Sequence, residues 1–79
     1  MPTVLRVKGF RFFFYSNENF EPAHIHIEKG DGNAKVWLTP KLKEQYFYGF
    51  TTKERKEILE IISNNLESLL NSWNERSER

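Results

Sequence analysis

A chain of 79 residues has room for one domain and one core, and so short a chain buries only a modest share of its surface on folding. Twelve basic and 11 acidic residues leave a formal net charge of +1, which excludes a global basic field that would draw the protein to nucleic acid or an anionic membrane; any such binding must be local. There is no cysteine, so disulfides and thiolate metal sites are excluded, and burial must come from the seven Phe, three Tyr and two Trp.

Residues 4–8 alternate, with Val4, Arg6 and Lys8 set against Leu5 and Val7, and residues 11–15 continue as a nearly unbroken aromatic run. Together they predict two strands joined by a tight turn at Gly9. Residues 16–22 cluster polar turn formers ahead of Pro22 and are expected to form an exposed loop. Ala23-His24-Ile25-His26-Ile27-Glu28 is the cleanest alternation in the chain and predicts a third strand. The Lys29-Gly30-Asp31-Gly32-Asn33 stretch then predicts a hairpin with a longer loop leading to a fourth strand through Val36 and Leu38, which Pro40 ends. Residues 41–50 carry Tyr46, Phe47, Tyr48 and Phe50 and fit either a short edge strand or a packed loop.

From Thr52 onward, Ile58, Leu59, Ile61, Ile62, Leu66, Leu69, Leu70 and Trp73 recur at the spacing of one helical stripe. Thr51 and Glu54 match a capping box at its start. The reading is a single α+β domain over residues 1–79: an antiparallel sheet of about four strands across residues 3–50, one long amphipathic helix over 52–74 packed on one sheet face, and a polar, fraying tail at 75–79. No segment approaches the ~20 apolar residues of a membrane span. With neither cysteine nor export signal, the cytoplasm is the expected compartment.

His24, His26 and Glu28 stand two apart in a strand, so they share one face while Ile25 and Ile27 point into the core. These are the only histidines of the chain. The row is expected to be exposed, and the bland reading is a solvated strand face without function. For a metal, same-face neighbours lie ~7 Å apart along a strand, wide for convergence on one ion, and neither a metal nor another cofactor is expected. For catalysis, a histidine pair with a nearby cation supplies what metal-free RNA cleavage requires: a base for the 2′-hydroxyl, an acid for the leaving group and a charge for the phosphate. Arg6, Lys8, Arg11 and Lys35 are the candidate cations, with His24, His26, Arg11 and Lys35 as the catalytic set. The aromatic run 10–15 could also stack single-stranded nucleic acid, although core packing is the simpler use for it. Gly30-Asp31-Gly32 is turn chemistry with no phosphate-binding helix after it.

The opening Met1-Pro2-Thr3-Val4-Leu5, the Arg11-Phe12-Phe13-Phe14-Tyr15-Ser16-Asn17-Glu18 run, the Glu21-Pro22-Ala23-His24-Ile25-His26-Ile27-Glu28 block and the closing Trp73-Asn74 resemble the bacterial domain-of-unknown-function 4160 family over essentially the whole chain. The Pro-x-His-Ile-His block is the most specific element. The sequence departs from the family pattern at Ala23, where a second proline is common, and in the unusually aromatic residues 41–50. The resemblance implies a toxin-like protein of a type II toxin-antitoxin module with a small cognate protein as partner, and it brings no catalytic mechanism. Two functions are therefore expected in competition. One is a toxin-like ribonuclease or translation inhibitor using His24 and His26. The other is a non-catalytic interaction module that binds a partner protein, and DNA as part of a complex, through Trp37, Tyr46 and Tyr48; self-association is open under both.

Overall fold

A computed structural model describes residues 3–15 and 22–77. The elements are β1 (Thr3–Val7), β2 (Phe10–Phe13), β3 (His24–Lys29), β4 (Gly32–Trp37), β5 (Lys43–Tyr48), α1 (Thr52–Asn64) and α2 (Leu66–Ser77). The strands form one antiparallel meander in the order β1-β2-β3-β4-β5. The α+β class and the antiparallel sheet stand; the count is five strands, because the aromatic stretch before the helix pairs along β4 as an edge strand.

The turns are local chemistry. Lys8 and Gly9 both take positive φ, 53° and 85°, the pair of angles that closes a two-residue hairpin between twisted strands. Lys29 pairs with Gly32, so the second hairpin turns on Gly30 and Asp31 alone and is tighter than the longer loop the sequence suggests. Gly30, at φ 57°, makes that turn affordable. The predicted exposed loop at 16–22 lies outside the described residues except for Pro22, which is exposed.

The helix is also divided. Its start is the expected capping box, with Glu54 N–H donating to Thr51 Oγ1 at 3.1 Å and Thr51 N–H donating to Glu54 Oε1 at 2.9 Å. Asn65 then interrupts the path at φ −121°. Its side-chain amide donates to Ile61 O at 2.8 Å and shares that carbonyl with its own backbone N–H, which lies 3.2 Å from both Ile61 O and Ile62 O, so Asn65 caps the end of α1. The stripe survives the break: Ile58, Ile61, Ile62, Leu69 and Trp73 are all buried in the core. The second helix runs on to Ser77, so the tail expected to fray from residue 75 is helical for three residues more.

One sheet face carries the core. Phe10, Phe12 and Phe14 from the β2 segment, Ile25 and Ile27 from β3, and Ala34, Val36 and Leu38 from the β4 segment bury against the helical stripe. Charge pairs lace its rim, with Lys8 to Glu57 and Lys29 to Glu54, each at 3.5 Å. A bulge in β5 contributes one more: Lys35 pairs with Tyr46 but Val36 with Glu44, so Gln45 is the extra residue and Glu44 meets Arg55 of α1.

The outer face of the sheet as a candidate functional site

The opposite face is turned away from the helical stripe, although Trp73 of α2 reaches His24 at one end of it, and strand register assembles it in rows. Phe13, His26, Lys35 and Tyr46 lie side by side across β2 to β5. Arg11, Glu28, Asn33 and Tyr48 form the row on one side, and His24, Trp37 and Lys43 form the row on the other. Arg6 joins from β1 as the partner of Arg11. Of the candidate cations, Arg6, Arg11 and Lys35 therefore share the histidines' face; Lys8 is turned to Glu57 on the helix side.

The histidines themselves are not exposed. His24 is 0% and His26 6% accessible, which corrects the expectation of an open row, while Glu28 does stand in solvent as expected. The cause is the height of the neighbours. His26 stacks on Phe13 at 5.6 Å between ring centroids, and Tyr15 meets it edge-on at 4.4 Å. His24 is enclosed by Trp37 at 5.2 Å, His26 at 5.2 Å and Trp73 of α2 at 5.0 Å. Strand alternation reports which way a side chain points; it does not report whether neighbouring rings close over it.

His24 Nδ1 lies 2.9 Å from the carbonyl oxygen of Pro22. A carbonyl only accepts, so Nδ1 carries the proton and Nε2 holds the lone pair of the neutral ring. Arg11 is committed to Glu28 at 2.9 Å and lies over the Phe13 ring at 4.3 Å. Lys35 sits over the Trp37 indole at 4.5 Å, and Trp37 Nε1–H donates to Gln45 Oε1 at 2.7 Å. Tyr46 and Tyr48 pack together at 5.3 Å, with Tyr48 64% exposed. Among the described residues, no three His, Asp or Glu side chains come together as a metal site.

All four residues of the catalytic set thus occupy one face, yet both imidazoles lie beneath aromatic rings. Trp37, Tyr46 and Tyr48, chosen for partner binding, share that face. The sequence reading missed Phe13, Tyr15, Trp73 and Lys43. Parity held the signal for the first two: Arg11 in the aromatic run belongs outside, so Phe13 and Tyr15 must follow it while Phe10, Phe12 and Phe14 turn inward. Trp73 carried no such signal, because a tryptophan on a helical stripe reads as core, and it serves the core and His24 together.

A family model described as "Domain of unknown function (DUF4160)" matches residues 9–74, and the chain belongs to this family. No curated protein and no solved structure matches it. Among the described residues no helix is long and apolar enough to cross a membrane.

Proposed function

We propose that this domain is the toxin-like component of a two-protein bacterial module, and that it acts on RNA by binding it through the outer sheet face rather than by histidine chemistry. The observation that carries the reading is the segregation of charge. Arg6, Arg11, Lys35 and Lys43 occupy the outer face, where Glu28 is the one acidic side chain among the described paired strand residues; Asp31 stands in the exposed turn between β3 and β4. Glu44, Glu54 and Glu57 are drawn to Arg55, Lys29 and Lys8 around the helical layer, and Glu60, Glu67 and Glu75 lie on the helices. A chain with almost no net charge thereby gains the local positive surface that phosphate contacts require. Rings set between the cations supply the stacking that single strands use.

Cleavage has less support than binding. A general base and a general acid must both reach the reacting groups, and His24 is fully buried with Nδ1 held by a carbonyl. The second reading, a small cognate protein seated on the same face, is favoured by the exposed Tyr48 beside Tyr46 on an edge strand, a composition that suits protein interfaces.

The test is growth of bacteria expressing the chain alone. The wild type is expected to arrest growth, a Lys35→Glu/Lys43→Glu variant to relieve the arrest, and a Lys53→Glu/Lys56→Glu variant on the helix to leave it in place. Absence of arrest, or equal relief by both variants, defeats the proposal.

A further inference from the structure

At the end of β4, beside the start of β5, Pro22, Trp37, Thr39, Pro40, Lys41 and Lys43 line a cleft of about 320 Å³. We infer that this cleft seats one nucleotide of single-stranded RNA, its base against Trp37 and the prolines and its phosphates on Lys41 and Lys43. The inference rests on the RNA-binding reading above and narrows it to a subsite.

Three features point to this occupant. The walls are flat and apolar while the rim carries two exposed lysines, so the cleft matches the two halves of a nucleotide: a planar ring system and an adjoining anion. The walls are also fixed in advance. Trp37 is oriented by its bond to Gln45 at 2.7 Å. The backbone beside Pro22 is tied to the end of β4 by Leu38 N–H donating to Ala23 O at 2.8 Å and by Ala23 N–H donating to Thr39 Oγ1 at 3.2 Å. Finally, buried His24 braces both sides at once, donating from Nδ1 to Pro22 O and meeting the Trp37 ring. A wall ordered before binding loses little entropy when the ligand arrives. The histidine is thereby a positioning residue, which accounts for its burial. A duplex, whose bases are already stacked on each other, could offer the lysines phosphates but not the cleft a base.

The experiment uses the full chain, a fluorescein-labelled 12-mer of uridine as probe for anisotropy, and the unlabelled 12-mer for tryptophan fluorescence. Trp73 is buried, so quenching reports on half-exposed Trp37. Expected are salt-dependent binding with quenching, a loss of about fivefold or more in Trp37→Leu, and retention in Trp37→Phe, which keeps a ring for the base to stack on. Lys41→Gln/Lys43→Gln should lower the slope of log K against log salt by about 1.4, from ~0.7 per phosphate contact. If the 12-mer binds but neither quenching nor these losses occur, the cleft is overturned and the wider RNA-binding face stands. If a duplex of equal length binds as well as the single strand, the nucleotide seat is likewise overturned. If the 12-mer does not bind in 50 mM salt, or binds no better than an acidic Glu/Tyr peptide, both readings fall, the latter result assigning the face to an acidic protein. Should Trp37→Leu fail to fold by circular dichroism, quenching in the wild type and the lysine variant decide.

Discussion

The Trp73 indole and the His24 imidazole meet with ring centroids 5.0 Å apart, and the same indole meets Phe14 edge-on at 5.3 Å. One side chain of α2 thus closes the core and covers the first residue of the central strand. Trp73→Ala should cost about 3–5 kcal/mol, the usual range for removing a buried large aromatic. That is a large part of what holds a domain of this size together. Urea denaturation followed by circular dichroism should find the variant largely unfolded at 25 °C and Trp73→Phe in between. A wild-type midpoint in Trp73→Ala would show that the contact holds nothing.

Burial changes what a histidine substitution reports. His24→Ala would remove a packed ring and leave the Pro22 carbonyl without its donor, and should cost about 2 kcal/mol or more. His26→Ala opens a hole between Phe13 and Tyr15 and should cost a similar amount. Both midpoints should drop in chemical denaturation, so lost activity in a double alanine variant could reflect unfolding alone. Nitrogen chemical shifts of His24 should give a protonated Nδ1 and an unprotonated Nε2 in the neutral ring; the opposite tautomer would remove the bond to Pro22.

Much of this arrangement was legible in the residues themselves, and most of the rest depends on partners distant in the chain. Periods of two and 3.6 located the first four strands and the helical stripe, and the Thr51/Glu54 pair located the helix start, because these are local consequences of backbone geometry. The fifth strand was ambiguous, since Tyr46, Phe47, Tyr48 and Phe50 suit an edge strand or a packed loop until β4 is present to pair with. Asn65 caps the end of α1 by bonding back to Ile61 O through side chain and backbone together, which its residue type permits and does not dictate. For the site, parity put His24 and His26 on one face correctly. It was silent on coverage, which depends on Trp37 one strand away and on Trp73 from the far end of the chain.

Two glycines on neighbouring segments leave no room for a side chain. A Cβ on Gly32 would lie 2.8 Å from the Phe50 ring and 3.0 Å from Gly49 O, and a Cβ on Gly49 would lie 3.0 Å from Gly32 Cα. Gly49 also holds φ at 74°, in the left-handed region. Gly32→Ala should therefore cost about 1–3 kcal/mol through overpacking, and Gly49→Ala at least as much, with backbone strain added. Gly30→Ala makes the control: its φ is also positive, but nothing lies within 4 Å, so strain alone should register in its thermal midpoint. A Gly32→Ala variant as stable as the wild type would mean that the crowding at Phe50 is relieved without penalty, since no left-handed φ adds strain there.

The capping box gives the fold a defined sensitivity to acid. The Thr51 backbone N–H bonded to Glu54, helped by the Lys29 ammonium 3.5 Å away, holds this carboxyl below the ordinary glutamate value of 4.5, against a desolvation that pushes the other way. A depressed pKa means that the folded state prefers the ionised form. The resulting stabilisation is complete above the unfolded-state value and is lost as pH falls through the lower, folded one. Glu54→Gln should therefore weaken the domain at pH 7 and flatten its stability profile below pH 4.5. Thr51→Ala, which removes the hydroxyl acceptor of the Glu54 N–H but keeps the backbone donor that sets the shift, should cost about 1 kcal/mol and preserve most of that slope. Urea midpoints from pH 3 to pH 7 separate the two: a Glu54→Gln profile parallel to the wild type would show that another carboxylate carries the acid response.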